Sequence, residues 1–130
     1  MKEKIWSLKV ADRKFSEFIR KRDGKCARCG RKDRQLQCSH FWARQYSATR
    51  FDPENCDAIC AWDHTLAPDC WQDDRLKEYE AYKIKQLGKK GFDALKAKHY
   101  KVTKRRDAIL ECMAMLAANK CTKKNLKRLT

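Results

Sequence analysis

Apolar positions along the chain follow helical spacing at both ends and strand-like spacing in the middle. Ile5, Trp6, Leu8 and Val10 show no period, so residues 1–11 read as an arm packing on something else. Phe15, Phe18 and Ile19 share one face at helical spacing, and Asp12 is the expected N-cap. Arg20, Lys21 and Arg22 fall in that helix's last turn, where cations suit the dipole, and Asp23-Gly24 ends it. Leu36–Phe41 is short and alternating, and Ala58-Ile59-Cys60 is a second strand candidate. Between them Phe51-Asp52-Pro53-Glu54-Asn55 is a turn by composition. A helix is expected to begin near Trp62 and carry His64.

Downstream the pattern is helical. Leu76, Tyr79, Tyr82 and Leu87 form one stripe over 75–87, more core-like than a base-stacking surface, with Gly88 as its stop. A short piece containing Leu95 follows, and Ile109, Met113 and Leu116 share a face over about 104–120. That face could pack at home or against a second copy, giving a homodimer. The tail 121–130 carries Lys123, Lys124, Lys127 and Arg128 and is expected to fray. There is no internal repeat and no Pro/Gly/Ser linker. The organisation is therefore one α+β domain over 1–130: an arm (1–11), a core (12–70) and a helical extension (71–130).

Charge changes the picture. Lys and Arg number 32 against 17 Asp and Glu, for a net charge of +15 on 130 residues. Solubility needs far less, so a polyanionic partner is expected, and Lys104, Arg105 and Arg106 are candidate phosphate contacts. No window approaches the roughly 18–20 apolar residues of a spanning helix, so no membrane partner is expected. The opening MKEKIWSLKV has no apolar signal core, so a cytoplasmic, reducing compartment is expected. There the eight cysteines read as metal ligands or buried small side chains rather than disulfides. Cys26-Ala27-Arg28-Cys29-Gly30 is half of a zinc knuckle. Cys60-Ala61-Trp62-Asp63 has the spacing of the other half, with Asp at the fourth position; rival fourth ligands are Cys56, Cys38 and Cys70. Asp63 could equally be a plain helix N-terminal acid. A zinc ion here would be structural, offsetting a small core.

Two of the three histidines flank this framework. His40 ends the first strand, Asn55 follows fifteen residues later (55 − 40), and His64 nine after that (64 − 55). With the cysteines, these spacings over residues 15–66 resemble the HNH endonucleases, which implies a zinc-stapled ββα-metal core with a flanking N-terminal helix. Phe15-Ser16-x-x-Ile19-Arg20-x-Arg22-Asp23-x-x-Cys26-x-x-Cys29, Leu36-Gln37-Cys38-Ser39-His40-Phe41 and Ala48-Thr49-Arg50-Phe51-Asp52-Pro53-x-Asn55-Cys56-Asp57-Ala58 are similar to the bacteriophage NinG (Rap) recombination nucleases. Tyr82-Lys83-Ile84-x-x-Leu87-Gly88 and Gly91-Phe92 carry the similarity to about residue 96. The resemblance implies hydrolysis of branched DNA during phage recombination, in the bacterial host's cytoplasm.

The chemistry assigns roles. Phosphodiester hydrolysis needs an activated water, a cation on the phosphate and charge neutralisation. His40 is the expected general base, with its ring aimed by a loop carbonyl in the HNH pattern. Asn55 would tie that loop shut, and His64 would bind Mg²⁺ or Mn²⁺. Arg44 and Arg50 would clamp the phosphate. Most HNH sites carry Asp or His before the base as a second metal ligand. This chain, like the NinG pattern, has Ser39, a weak ligand, so Asp52 or Asp57 could complete the set. The rival reading is a zinc-containing DNA-binding protein that keeps the HNH fold without catalysis. His99, in a Lys-rich stretch, is expected to be exposed.

Overall fold

The two strand candidates pair. In the computed structural model, which describes residues 4–72 and 76–119, β1 (Leu36–His40) and β2 (Cys56–Cys60) form an antiparallel hairpin within an α+β fold. The register sets His40 opposite Cys56 and Leu36 opposite Cys60. Phe41 N–H to the Asn55 carbonyl (2.8 Å) and Ala61 N–H to the Gln35 carbonyl (3.2 Å) extend the ladder one step at each end. Residues 1–3 of the expected arm, Cys121 and the basic tail lie outside the described residues.

Helix α1 (Leu8–Asp23) starts earlier than expected. Ser7, not Asp12, is its N-cap, its Oγ accepting the Val10 N–H at 3.2 Å. Ala11, Phe15 and Ile19 then make one continuous buried stripe, with Ile5, Trp6 and Leu8 packed beside it. Gly24, at φ 68°, takes the left-handed conformation that closes the helix. Arg22 does not face solvent. It donates to the carbonyls of Pro53 (2.9 Å) and Cys56 (2.7 Å). Asp23 accepts the Ala58 N–H at 2.8 Å, and Ala27 N–H reaches the Ala58 carbonyl at 2.9 Å, so the outer side of β2 is sealed by backbone and side-chain partners.

After β1 come the short α2 (Ser47–Arg50) and a 3₁₀ turn at Pro53–Asn55. The helix expected at Trp62 is a single π-type turn, Trp62–Leu66. Pro68 disfavours helical conformation at Ala67, which is extended at ψ 148°, and so ends the turn. Helix α3 (Leu76–His99) breaks at Gly88 as expected (φ 77°, ψ 161°), a backbone shape that a side chain would strain, and resumes through Phe92 and Leu95. Helix α4 (Arg105–Asn119) packs on α1, with Ala108, Ile109 and Cys112 buried against Ala11 and Phe15. Its Ile109, Met113 and Leu116 face therefore packs at home.

All five residues of β2 are buried, between the α1–α4 core and a second core of Cys26, Ile59, Cys60, Trp71 and Tyr79. Asp57 is fully buried, away from the cleft lining, with its oxygens already engaged. It receives bonds from Tyr79 Oη (2.9 Å), Lys83 Nζ (3.1 Å) and Gln86 Nε2 (3.3 Å). Asp52 is likewise committed, capping the Pro53 turn and pairing with Lys98 at 2.7 Å. His99 is buried rather than exposed, its ring stacked on Trp42 at 4.5 Å and edged by Tyr46. Among the described residues no helix is long and apolar enough to cross a membrane.

Candidate metal centre and histidine cleft

Cys26, Cys29, Cys60 and Asp63 converge, their ligand atoms all within 4.8 Å of one another. Gly30, at φ 75°, lets the knuckle fold back so that Gly30 N–H meets the Cys26 carbonyl (2.9 Å) and Cys29 N–H points at Cys26 Sγ (3.4 Å). Cys60 ends β2, and the following turn swings Asp63 round to the pair. Cys29 Sγ lies 3.9 Å from Cys60 Sγ, and Asp63 Oδ2 lies 3.5 Å from Cys26 Sγ and 3.3 Å from Cys60 Sγ. A tetrahedral zinc ion with S at about 2.3 Å and O at about 2.0 Å requires edges of roughly 3.8 and 3.5 Å. The donor set fits.

Arg28 holds the other Asp63 oxygen at 3.4 Å, and Arg34 Nη1 lies 3.8 Å from Cys60 Sγ. These cations offset the negative charge that three thiolates and a carboxylate leave around a divalent ion. Burial works to raise Asp63, but bonds from Cys29, Cys60 and Cys26, with the Arg28 charge, hold it below the usual carboxylate range. Cys38 and Cys56 converge elsewhere, and Cys70 is buried outside the four.

A cleft of about 430 Å³ is lined by Asp12, Gln37, Cys38, His40, Arg44 and His64, among others. The His40 Nε2 lies 3.0 Å from the Arg50 carbonyl. Only a protonated Nε2 can bond a carbonyl, so Nδ1 keeps its lone pair. Burial, reinforced by the Arg44 and Arg50 charges and opposed by this bond and by Asp12, pushes His40 down to about 4. The ring is neutral at pH 7. Asn55, fully buried, clasps the loop between the strands. Its Oδ1 accepts the Trp42 N–H (2.9 Å), and its Nδ2 donates to the carbonyls of Trp42 (3.0 Å) and Thr49 (3.2 Å). His64 Nδ1 meets Gln37 Oε1 at 2.7 Å, which leaves its Nε2 as the lone pair, and burial pulls its pKa down. An imidazole whose second nitrogen is tied to an acceptor is oriented as metal ligands are.

Ser39 and Arg50 are both engaged within the protein. Ser39 is fully buried, and its Oγ accepts from Gln72 at 2.8 Å, because strand alternation turns it away from the face of Cys38 and His40. The same alternation puts it on the face of Gln37, which bonds His64. Arg50 bonds Asp12 (2.9 and 2.6 Å) and the Arg44 carbonyl (3.0 Å), and so braces the loop. Arg44 is exposed on the cleft wall. Lys104, Arg105 and Arg106 are exposed at the start of α4 and do not line the cleft.

Sequence reasoning passed over two cleft residues. Asp12, read as a helix cap, is the carboxylate among the described lining residues. Gln37, which orients His64, was detectable only through the register that pairs it with Ile59, just before the turn carrying His64. Compared with known proteins, the chain matches no family model, no curated protein and no solved structure.

Proposed function

We propose that the chain is a metal-dependent DNA endonuclease of the HNH type, its ββα core stapled by zinc on Cys26, Cys29, Cys60 and Asp63. The observation that carries the reading is the neutral, buried His40, fixed through Nε2 to a loop carbonyl with Nδ1 left as a base, in one cleft with His64 and Arg44. Nδ1 takes a proton from the attacking water, a contribution typically worth about 10²–10⁴ in rate. Phosphate drawn into the cleft raises the proton affinity of the ring, countering the burial and the arginine charges that depress it. Arg44 neutralises phosphate charge, and the chain's +15 draws the polyanion in.

A divalent ion such as Mg²⁺ or Mn²⁺, when bound, would stabilise the leaving oxygen. His64, its ring oriented by Gln37, is the residue that would hold it, and the Ser39 hydroxyl is engaged by Gln72. The substrate class we favour is branched DNA in phage recombination, on the sequence resemblance alone.

The neutral Ser39 hydroxyl, already engaged by Gln72, favours a second reading, a zinc-containing DNA-binding protein with this fold and no catalysis. Incubation with nicked, forked and four-way DNA in Mg²⁺ or Mn²⁺ separates the two. We expect cleavage by the wild type and, for His40→Ala, binding without cleavage. Binding without cleavage by the wild type selects the second reading, and an equally active His40→Ala refutes the role of His40.

A further inference from the structure

A second group of soft donors stands apart from the zinc knuckle. Cys38 and His40 share one face of β1, and the register sets Cys56 opposite His40. The neighbouring Phe41–Asn55 pair is hydrogen-bonded, so His40 and Cys56 form the alternate kind of pair, in which facing side chains approach most closely. The two sulfurs and a ring nitrogen of His40 all lie within 4.8 Å of one another, and both thiols are free. Behind them stands the apolar core of Phe15 and Phe51. In front, Cys38 and His40 line the cleft.

We propose that Cys38, His40 and Cys56 form a second metal site, for a soft transition-metal ion such as Zn²⁺, whose occupation takes the lone pair of His40 and shuts off the cleft. Two thiolates, a neutral imidazole and a divalent cation sum to zero charge. That neutrality suits a wall of phenyl rings, where an unbalanced charge is costly. Three protein ligands leave a fourth position open toward the cleft for water, a coordination zinc accepts. Magnesium prefers oxygen ligands and is not drawn to sulfur. The site therefore separates an inhibitory soft ion from the hard ion expected to support cleavage. Closing the donors onto zinc needs movements on the order of 1 Å. The inhibitory half of this proposal rests on reading His40 as the base; the binding half does not.

Protein carrying its first tightly held zinc is titrated with Zn²⁺ under reductant. We expect a second equivalent per chain, with a shift of the His40 ring resonances as it binds. The Cys38→Ser protein should take up only the first equivalent while keeping its circular dichroism. A wild-type titration that stops at one equivalent overturns the site, as do unmoved His40 resonances or a second equivalent that survives Cys38→Ser. If the variant folds poorly, Co²⁺ added to the wild type as the second ion decides the matter: intense thiolate-to-cobalt absorption supports the site, and its absence overturns it. In cleavage assays with Mg²⁺, the second equivalent should lower the rate at least tenfold, and mild chelation should restore it. Undiminished cleavage with the second site filled overturns the inhibitory half. Absence of cleavage at every zinc level refutes the nuclease reading, and the titration still decides the site.

Discussion

Asn55 offers the sharpest test of how the loop is held. Its side chain makes three bonds to the Trp42 N–H, the Trp42 carbonyl and the Thr49 carbonyl, with no exposed surface. Asn55→Ala removes all three. At about 1 kcal/mol net per bond the loss is about 3 kcal/mol, and a part-buried Trp42 N–H left without its acceptor brings it to at most about 4 kcal/mol. A domain of this length typically holds about 6–20 kcal/mol, so the variant should still fold. Urea unfolding of zinc-loaded protein reads the difference directly. Asn55→Asp sharpens the test, because it keeps size and one acceptor but cannot donate. It would set a carboxylate against two carbonyl oxygens, so we expect it to be at least as unstable as the alanine variant. If the side chain merely filled space, Asp would be tolerated, and a near-wild-type Asn55→Asp refutes the clasp. A loss below about 1 kcal/mol for Asn55→Ala refutes it too. The same clasp spans the segment whose Arg50 carbonyl orients His40, so cleavage by folded Asn55→Ala should fall well below wild type.

Three further outcomes are expected. The His40 pKa is depressed to about 4, so between that value and the ordinary 6.5 the unfolded chain binds more protons. This stabilising contribution is therefore complete above pH 6.5 and is lost as pH falls through about 4; it amounts to at most about 3 kcal/mol, and His40→Gln should flatten that part of a pH–stability curve. Lys83→Met strands the buried Asp57 charge and should cost about 3–5 kcal/mol, much of it recovered in Lys83→Met with Asp57→Leu, as a double-mutant cycle in urea would reveal. Arg44→Ala should weaken DNA binding while leaving the melting temperature in place; Arg50→Ala, which breaks the bond pair to Asp12, should lower the melting temperature.

The hairpin and the knuckle were legible in the sequence because their signals are local. Two cysteines and a glycine within five residues, and an alternating run before His40, leave few other conformations. The limits of legibility follow from contacts between distant segments. Asp12 looks like a cap in isolation because nothing nearby says that Arg50, thirty-eight residues on, will claim it. Lys83 and His99 look like surface residues in lysine-rich stretches. Asp57 and Trp42, supplied by other elements, are what make them buried. Ser39 is a milder case, since strand alternation alone turns it from the face of His40.

The sealed flank of β2 bears on how copies of this chain could associate. A two-stranded sheet ordinarily offers bare strand edges on which a neighbouring chain can add a strand, a common route to aggregation. Here Arg22 takes the Cys56 carbonyl, while Asp23 and Ala27 take both backbone groups of Ala58. Strand addition on that side would require the end of α1 and the Cys26–Gly30 knuckle to detach together. The domain is thereby steered away from β-augmentation at β2, and its resistance to misassembly there depends on the same few residues that join the first helix to the cysteine cluster.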